Sequence, residues 1–113
     1  MTTKEIYREK IDKVIQDTIF DSFFGRMKSH KDFIDLIDLG KSIIPYVIED
    51  LEEDPGWVQV VLLYEMNEKG IISIDKIDRK VRAGVFQDNV EFWIDWWKRQ
   101  NRENKLNRIL KDT

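Results

Sequence analysis

Residues 57 to 63 include Val58, Val60, Val61, Leu62 and Leu63, with no charge among them. At helical spacing these side chains point to all sides of the axis, and a helix apolar all round has to be enclosed by other elements. The same β-branched run as a strand would need a partner, and no other segment offers one convincingly. The run therefore predicts a central, buried helix from residue 57 to about residue 67, and with it an all-α chain of about five or six helices. The 113 residues amount to one domain, and six Phe, four Trp and three Tyr supply its core. Chains of this size bury roughly two-thirds of their extended surface. No Cys is present, which removes disulfides, thiol nucleophiles and thiolate zinc sites, and makes a reducing, cytoplasmic setting the expectation. No apolar run approaches the ~20 residues that span a bilayer, and residues 1 to 5 do not read as a signal peptide. No membrane partner is expected.

Other helices can be placed around this segment. Thr2-x-x-Glu5 reads as a capping box. Tyr7, Ile11, Val14, Ile15, Ile19 and Phe23 then recur at three- and four-residue spacings, predicting an amphipathic helix to about residue 24, ended by Gly25. Residues 25 to 30 read as a connection. A short helix over residues 31 to 39 sets Phe33, Leu36, Ile37 and Leu39 against Asp32, Asp35 and Asp38, with Gly40 beyond its end. Ser42 reads as the cap of a third helix, with Pro45 in its first turn and Ile44, Val47, Ile48 and Leu51 as its stripe. Asp54-Pro55 punctuates the chain, Asp54 as cap and Pro55 as first residue of the central helix. Gly70 stops that helix, and a short helix begun by Ser73 can carry Ile71, Ile72, Ile74, Ile77 and Val81. Residues 84 to 87 read as a loop. Asp88-x-x-Glu91 is a second capping box, opening a last helix through Phe92, Trp93, Trp96 and Trp97. Its stripe weakens at residues 100 to 105 and returns at Leu106, Ile109 and Leu110, as a separate turn or an extension. The single domain thus divides into residues 1–29, a core at 30–97 and a basic extension at 98–113.

Ile44-Pro45 with Leu51, then Asp54-Pro55, then the apolar run resembles one HEAT-type repeat, in which two antiparallel helices bury their faces against neighbours. A wider set of residues resembles a family of small bacterial proteins of unknown function. It comprises His30-x-x-Phe33, Leu39-Gly40, Ile44-Pro45, Pro55-Gly56-Trp57, Gly84 and Trp93-Ile94-Asp95-Trp96. Lys31 stands where that family has proline, Phe33 where it has tyrosine and Trp97 where it has glycine. The resemblance implies a central HEAT-like helix pair and carries no activity with it.

The net charge of −3 is unevenly spread. Residues 32 to 54 carry Asp32, Asp35, Asp38, Glu49, Asp50, Glu52, Glu53 and Asp54 against Lys41 alone; residues 98 to 113 carry Lys98, Arg99, Arg102, Lys105, Arg108 and Lys111 against Glu103 and Asp112. Solvated helix faces account for this, helped by cations at a helix C-terminus. Two further readings stay open: the basic tail docks on the acidic patch, within or between chains, or it binds phosphates of a nucleic acid.

Chemistry has few residues to draw on. His30, before a helix in polar surroundings, reads as a helix-start residue; as a general base it would need Asp32 or Ser29 beside it. Asp32, Asp35 and Asp38 read as a solvated face, or as oxygen ligands for a hard cation without any calcium-loop spacing. P-loop, G-x-G-x-x-G, G-x-S-x-G, H-E-x-x-H and Cys/His metal patterns are absent. Neither enzyme activity nor a cofactor is expected. Trp93, Trp96 and Trp97 share a helix face, with Phe92 adjoining. Core packing explains two of the tryptophans; Trp97 beside Lys98 and Arg99 reads as part of an interface. The candidate interface is Trp93, Trp96, Trp97, Lys98, Arg99 and Arg102. Its expected partner is another protein, a second copy included. Aromatics beside a basic groove also stack on single-stranded nucleic acid, which is the alternative.

Overall fold

The computed structural model describes residues 1–19, 24–74 and 84–111, with the backbone alone at residue 24 and at 102–111. Six α-helices and one 3-10 turn occupy these residues, and no strand is found among them. They are α1 (Thr3–Thr18), α2 (Phe24–Ser29), α3 (Lys31–Leu39), the 3-10 turn (Gly40–Ile43), α4 (Ile44–Glu53), α5 (Trp57–Glu68) and α6 (Phe86–Lys111). None is long and apolar enough to cross a membrane.

α5 is the centre, for the reason its composition gives. Val58, Gln59, Val60, Val61, Leu62, Leu63 and Met66 are all buried, covering its whole circumference. α1, α3, α4 and α6 each pack against it. α1 adds Tyr7, Ile11 and Val14 to the core and rests chiefly on α3, which contributes Phe33, Leu36 and Ile37. α4 turns at residues 54–56 into α5 and packs against both α5 and α6. Ile44, at the start of α4, shares a groove with Trp96, Trp97 and Gln100. Trp57, just past its end, meets Phe86 at the start of α6 at 5.0 Å between ring centroids. α4 and α6 therefore run antiparallel.

Capping chemistry sets several boundaries. The Thr2 hydroxyl accepts from the Glu5 amide at 3.2 Å, the N-cap half of the expected capping box, and the Glu5 carboxylate accepts from that hydroxyl at 3.1 Å. Gly40 follows α3 with φ 64° and ψ −140°, a backbone region that side chains other than glycine's avoid. Pro45 sits in the first turn of α4, where its missing amide costs nothing.

Other boundaries differ from expectation. α1 ends at Thr18, and residues 20–23 of its expected continuation lie outside the described residues. Residues 25 to 29 are helical: Gly25 lies inside α2 and does not terminate a helix. Ser42 caps nothing at α4; it lies in the 3-10 turn and donates to the Leu39 carbonyl at 2.8 Å. Gly56, not Asp54, occupies the N-cap of α5, which puts Pro55 before the helix. Asp88 stands inside α6, which starts at Phe86, so the second capping box does not open it. Phe86 and Gln87 are helical, and α6 continues unbroken to Lys111, which makes the C-terminal stretch an extension of one helix. Ile71, Ile72, Ser73 and Ile74 are not helical, so the expected short helix does not form there; Ile77 and Val81 lie outside the described residues.

A candidate binding groove

Trp93 is fully buried on α6. It meets Tyr64 at 5.2 Å, Phe92 at 5.3 Å and Trp96 at 5.6 Å, each pair close to perpendicular, the edge-to-face arrangement that aromatic quadrupoles favour. Its indole N–H has no acceptor among the described residues. Trp93 is therefore a core residue, a correction to its place in the expected interface. Trp96 and Trp97 follow at 6.1 Å from each other, both only half-buried. Core packing thus takes one tryptophan completely, where two were expected.

Trp96 and Trp97 form one wall of an open groove of about 450 Å³. Ile44 and Lys41 supply a second wall, from the 3-10 turn and the start of α4. Ile71 and Ile72 supply the third, and the end of α5 explains their position. Gly70, at φ 77°, lets the chain turn back. The amides of Ile71 and Ile72 then donate to the Met66 carbonyl at 2.9 and 3.2 Å, and the Ile74 amide to the Asn67 side chain at 3.1 Å. Two isoleucines beyond a helix stop were visible in the sequence as apolar residues; their fold-back needed the glycine and Asn67 together.

The polar atoms of this groove are distinctive. Lys41 is its one charged lining residue, exposed and without an ion pair among the described residues. Ser73 and Gln100 add hydrogen-bonding groups, and no carboxylate lines it. Lys98 and Arg99, also exposed and without an ion pair among the described residues, lie on the same turn of α6, on either side of its groove-facing stripe. Exposed Asp95, one turn earlier, leaves the local balance cationic. Of the six expected interface residues, two line the groove, two flank it, Trp93 lies beneath, and the side chain of Arg102 lies outside the described residues.

The other expected sites resolve as structural contacts. His30 is the N-cap of α3: its Nδ1 accepts from the Asp32 amide at 3.1 Å, which leaves the proton on Nε2, 2.7 Å from Asp17 of α1. Asp32 and Asp35 take the ammonium of Lys10 at 3.4 and 2.9 Å, tying α3 to α1. That hydrogen bond holds the Asp35 carboxyl below its ordinary range. Among the described residues no three His, Asp or Glu gather as metal ligands.

One polar cluster went unforeseen. Asp50, 7% exposed, accepts from the Tyr7 hydroxyl at 2.6 Å, from the Arg8 guanidinium and from the Gln59 amide at 3.4 Å. Arg8 also reaches Glu49 at 3.3 Å. Burial, then the hydrogen bond to Asp50, pushes the Tyr7 hydroxyl far above its usual range. Gln59 Oε1 has no hydrogen-bond partner among the described residues. The cluster joins α1 to α4 and α5, and its acid is saturated by donors, so it serves as a clamp.

No family model, curated protein or solved structure matches this chain.

Proposed function

We propose that this chain is a non-catalytic protein–protein interaction module, its binding face being the groove between the start of α4 and the middle of α6. The observation that carries this reading is the pair of half-buried tryptophans, Trp96 and Trp97, set in a groove with Ile44, Ile71 and the Lys41 ammonium, which has no ion pair among the described residues. Tryptophan and arginine are the residues most often found to dominate binding energy at protein interfaces. A ring that is partly solvated in the free chain gains burial when a partner covers it. In this reading α4 and α5 serve as the HEAT-like pair, holding the groove wall rigid, and the cysteine-free chain works in the cytoplasm.

The test is affinity capture from native extract with the parent chain, Trp97→Ala and the Lys98→Glu/Arg99→Glu double variant. All three should keep the same helical circular dichroism. A partner held by the parent and lost from both variants supports the module; identical sets of captured proteins contradict it. The alternative, a nucleic-acid accessory role for residues 98–111, gives a different signature. Binding to a single-stranded oligonucleotide would weaken steeply with salt as condensed counterions are released.

A further inference from the structure

The fold separates two exposed charge clusters by the length of α4. At one end, Lys41 lines the tryptophan groove, and exposed Lys98 and Arg99 stand on the same turn of α6 as its tryptophans. At the other, Glu52, Glu53 and Asp54 are exposed, followed by exposed Pro55. None of the six charged side chains joins an ion pair among the described residues, whereas Glu49, one turn earlier, is taken by Lys4 and Arg8. α4 has ten residues, so the two ends stand roughly 15 Å apart along it. Opposite clusters at opposite ends of one helix do not meet within a single chain. Between two copies, nothing in their placement keeps them apart.

We propose that this chain associates head to tail with a second copy, the acidic turn at residues 52–55 of one copy seated in the tryptophan groove of the next. This deepens the interaction-module reading and rests on it. Charge complementarity selects the occupant. The groove offers the Lys41 ammonium and hydrogen-bonding groups and no carboxylate, with Lys98 and Arg99 on the adjoining turn of α6, and the turn offers three carboxylates and no cation. Shape and order agree with this. Pro55 limits the freedom the turn has to lose, and its ring is an apolar face for Trp97. The two surfaces differ, so the contact is heterologous and each copy keeps one free end. Exposed ion pairs contribute about 0.2–1 kcal/mol each, so charges alone do not hold the assembly. Burial of the tryptophan wall supplies the rest, and the association is weak and salt-sensitive.

Sedimentation velocity between micromolar and millimolar chain, at about 0.05 and 0.5 M salt, tests this. The expected result is a mass that rises with concentration and rises less at high salt. Glu52→Lys/Glu53→Lys and Lys98→Glu/Arg99→Glu should each weaken association at least tenfold while keeping the parent circular dichroism. Mixing the two variants should restore association, because each turn then faces a groove of opposite sign. A monomer at every concentration overturns the proposal, as does association that neither variant weakens. A monomer whose Trp97→Ala variant still loses a different protein in the capture experiment overturns head-to-tail pairing alone and leaves the module reading intact.

Discussion

Asp50 shows how a single residue's role depends on where its helix points it. It shares a sequence cluster with seven other acids, most of them solvated, yet it is buried against Tyr7, Arg8 and Gln59. The sequence does contain the signal: Asp50 stands three residues from Val47 and next to Leu51, inside an apolar stripe. Its partners Tyr7 and Arg8 lie more than forty residues away, and no local pattern connects them. Removing the acid strands several donors at once. Asp50→Ala should therefore cost about 2–4 kcal/mol in urea unfolding, against about 1–2 for Tyr7→Phe. Alkaline pH provides a separate check. The Tyr7 hydroxyl is held above its ordinary value of 10.0, so the fold favours the neutral form. That stabilisation is complete below the unfolded value and is lost as pH rises past it. The parent chain should lose stability as pH rises from about 10 to about 12, and Tyr7→Phe should lose measurably less over the same interval.

Whole elements were easier to read than their ends. α5 was foreseen as central because an all-round apolar surface leaves a helix no alternative, and the packing of four helices around it agrees. α1, α3 and α4 followed from single apolar stripes. α2 escaped because Gly25 and a polar run look like a connection, while tertiary packing on α3 and α1 keeps six residues helical. The Lys28–Glu65 pair at 2.8 Å fastens α2 to α5 as well. The groove depends on two junctions, at Gly40 and Gly70, which the sequence marks as helix ends and whose positive φ sets the path that follows. A Cβ on Gly40 would meet nothing within 4 Å, so any cost of replacing it comes from backbone conformation alone. Gly40→Ala should destabilise by about 1–3 kcal/mol, read as a lower midpoint in thermal unfolding with an unchanged folded-state spectrum. A neutral result would mean that the α3–α4 junction adopts another path.

For the molecule as a whole, the aromatic residues of α6 separate stability from recognition. Trp93 is enclosed by Tyr64, Phe92 and Trp96, and truncating it leaves a cavity in the core. Trp93→Ala should cost about 3–5 kcal/mol, and Trp97→Ala less than half as much. The sequence placed Trp93, Trp96 and Trp97 on one face and pointed to Trp97 as surface. It did not show Trp96 joining it, because the opposite wall comes from Lys41, Ile44 and Ile71, distant in sequence and recruited by the two glycine junctions. The measurement that tests the central claim most directly is hydrogen exchange of the chain, free and bound to the partner it captures. The account predicts added protection at residues 40–44, 71–74 and 96–100, with the α1–α3 face around Lys10 and Asp35 unchanged. Protection confined to the α1–α3 face, with those three segments exchanging as in the free chain, would contradict it.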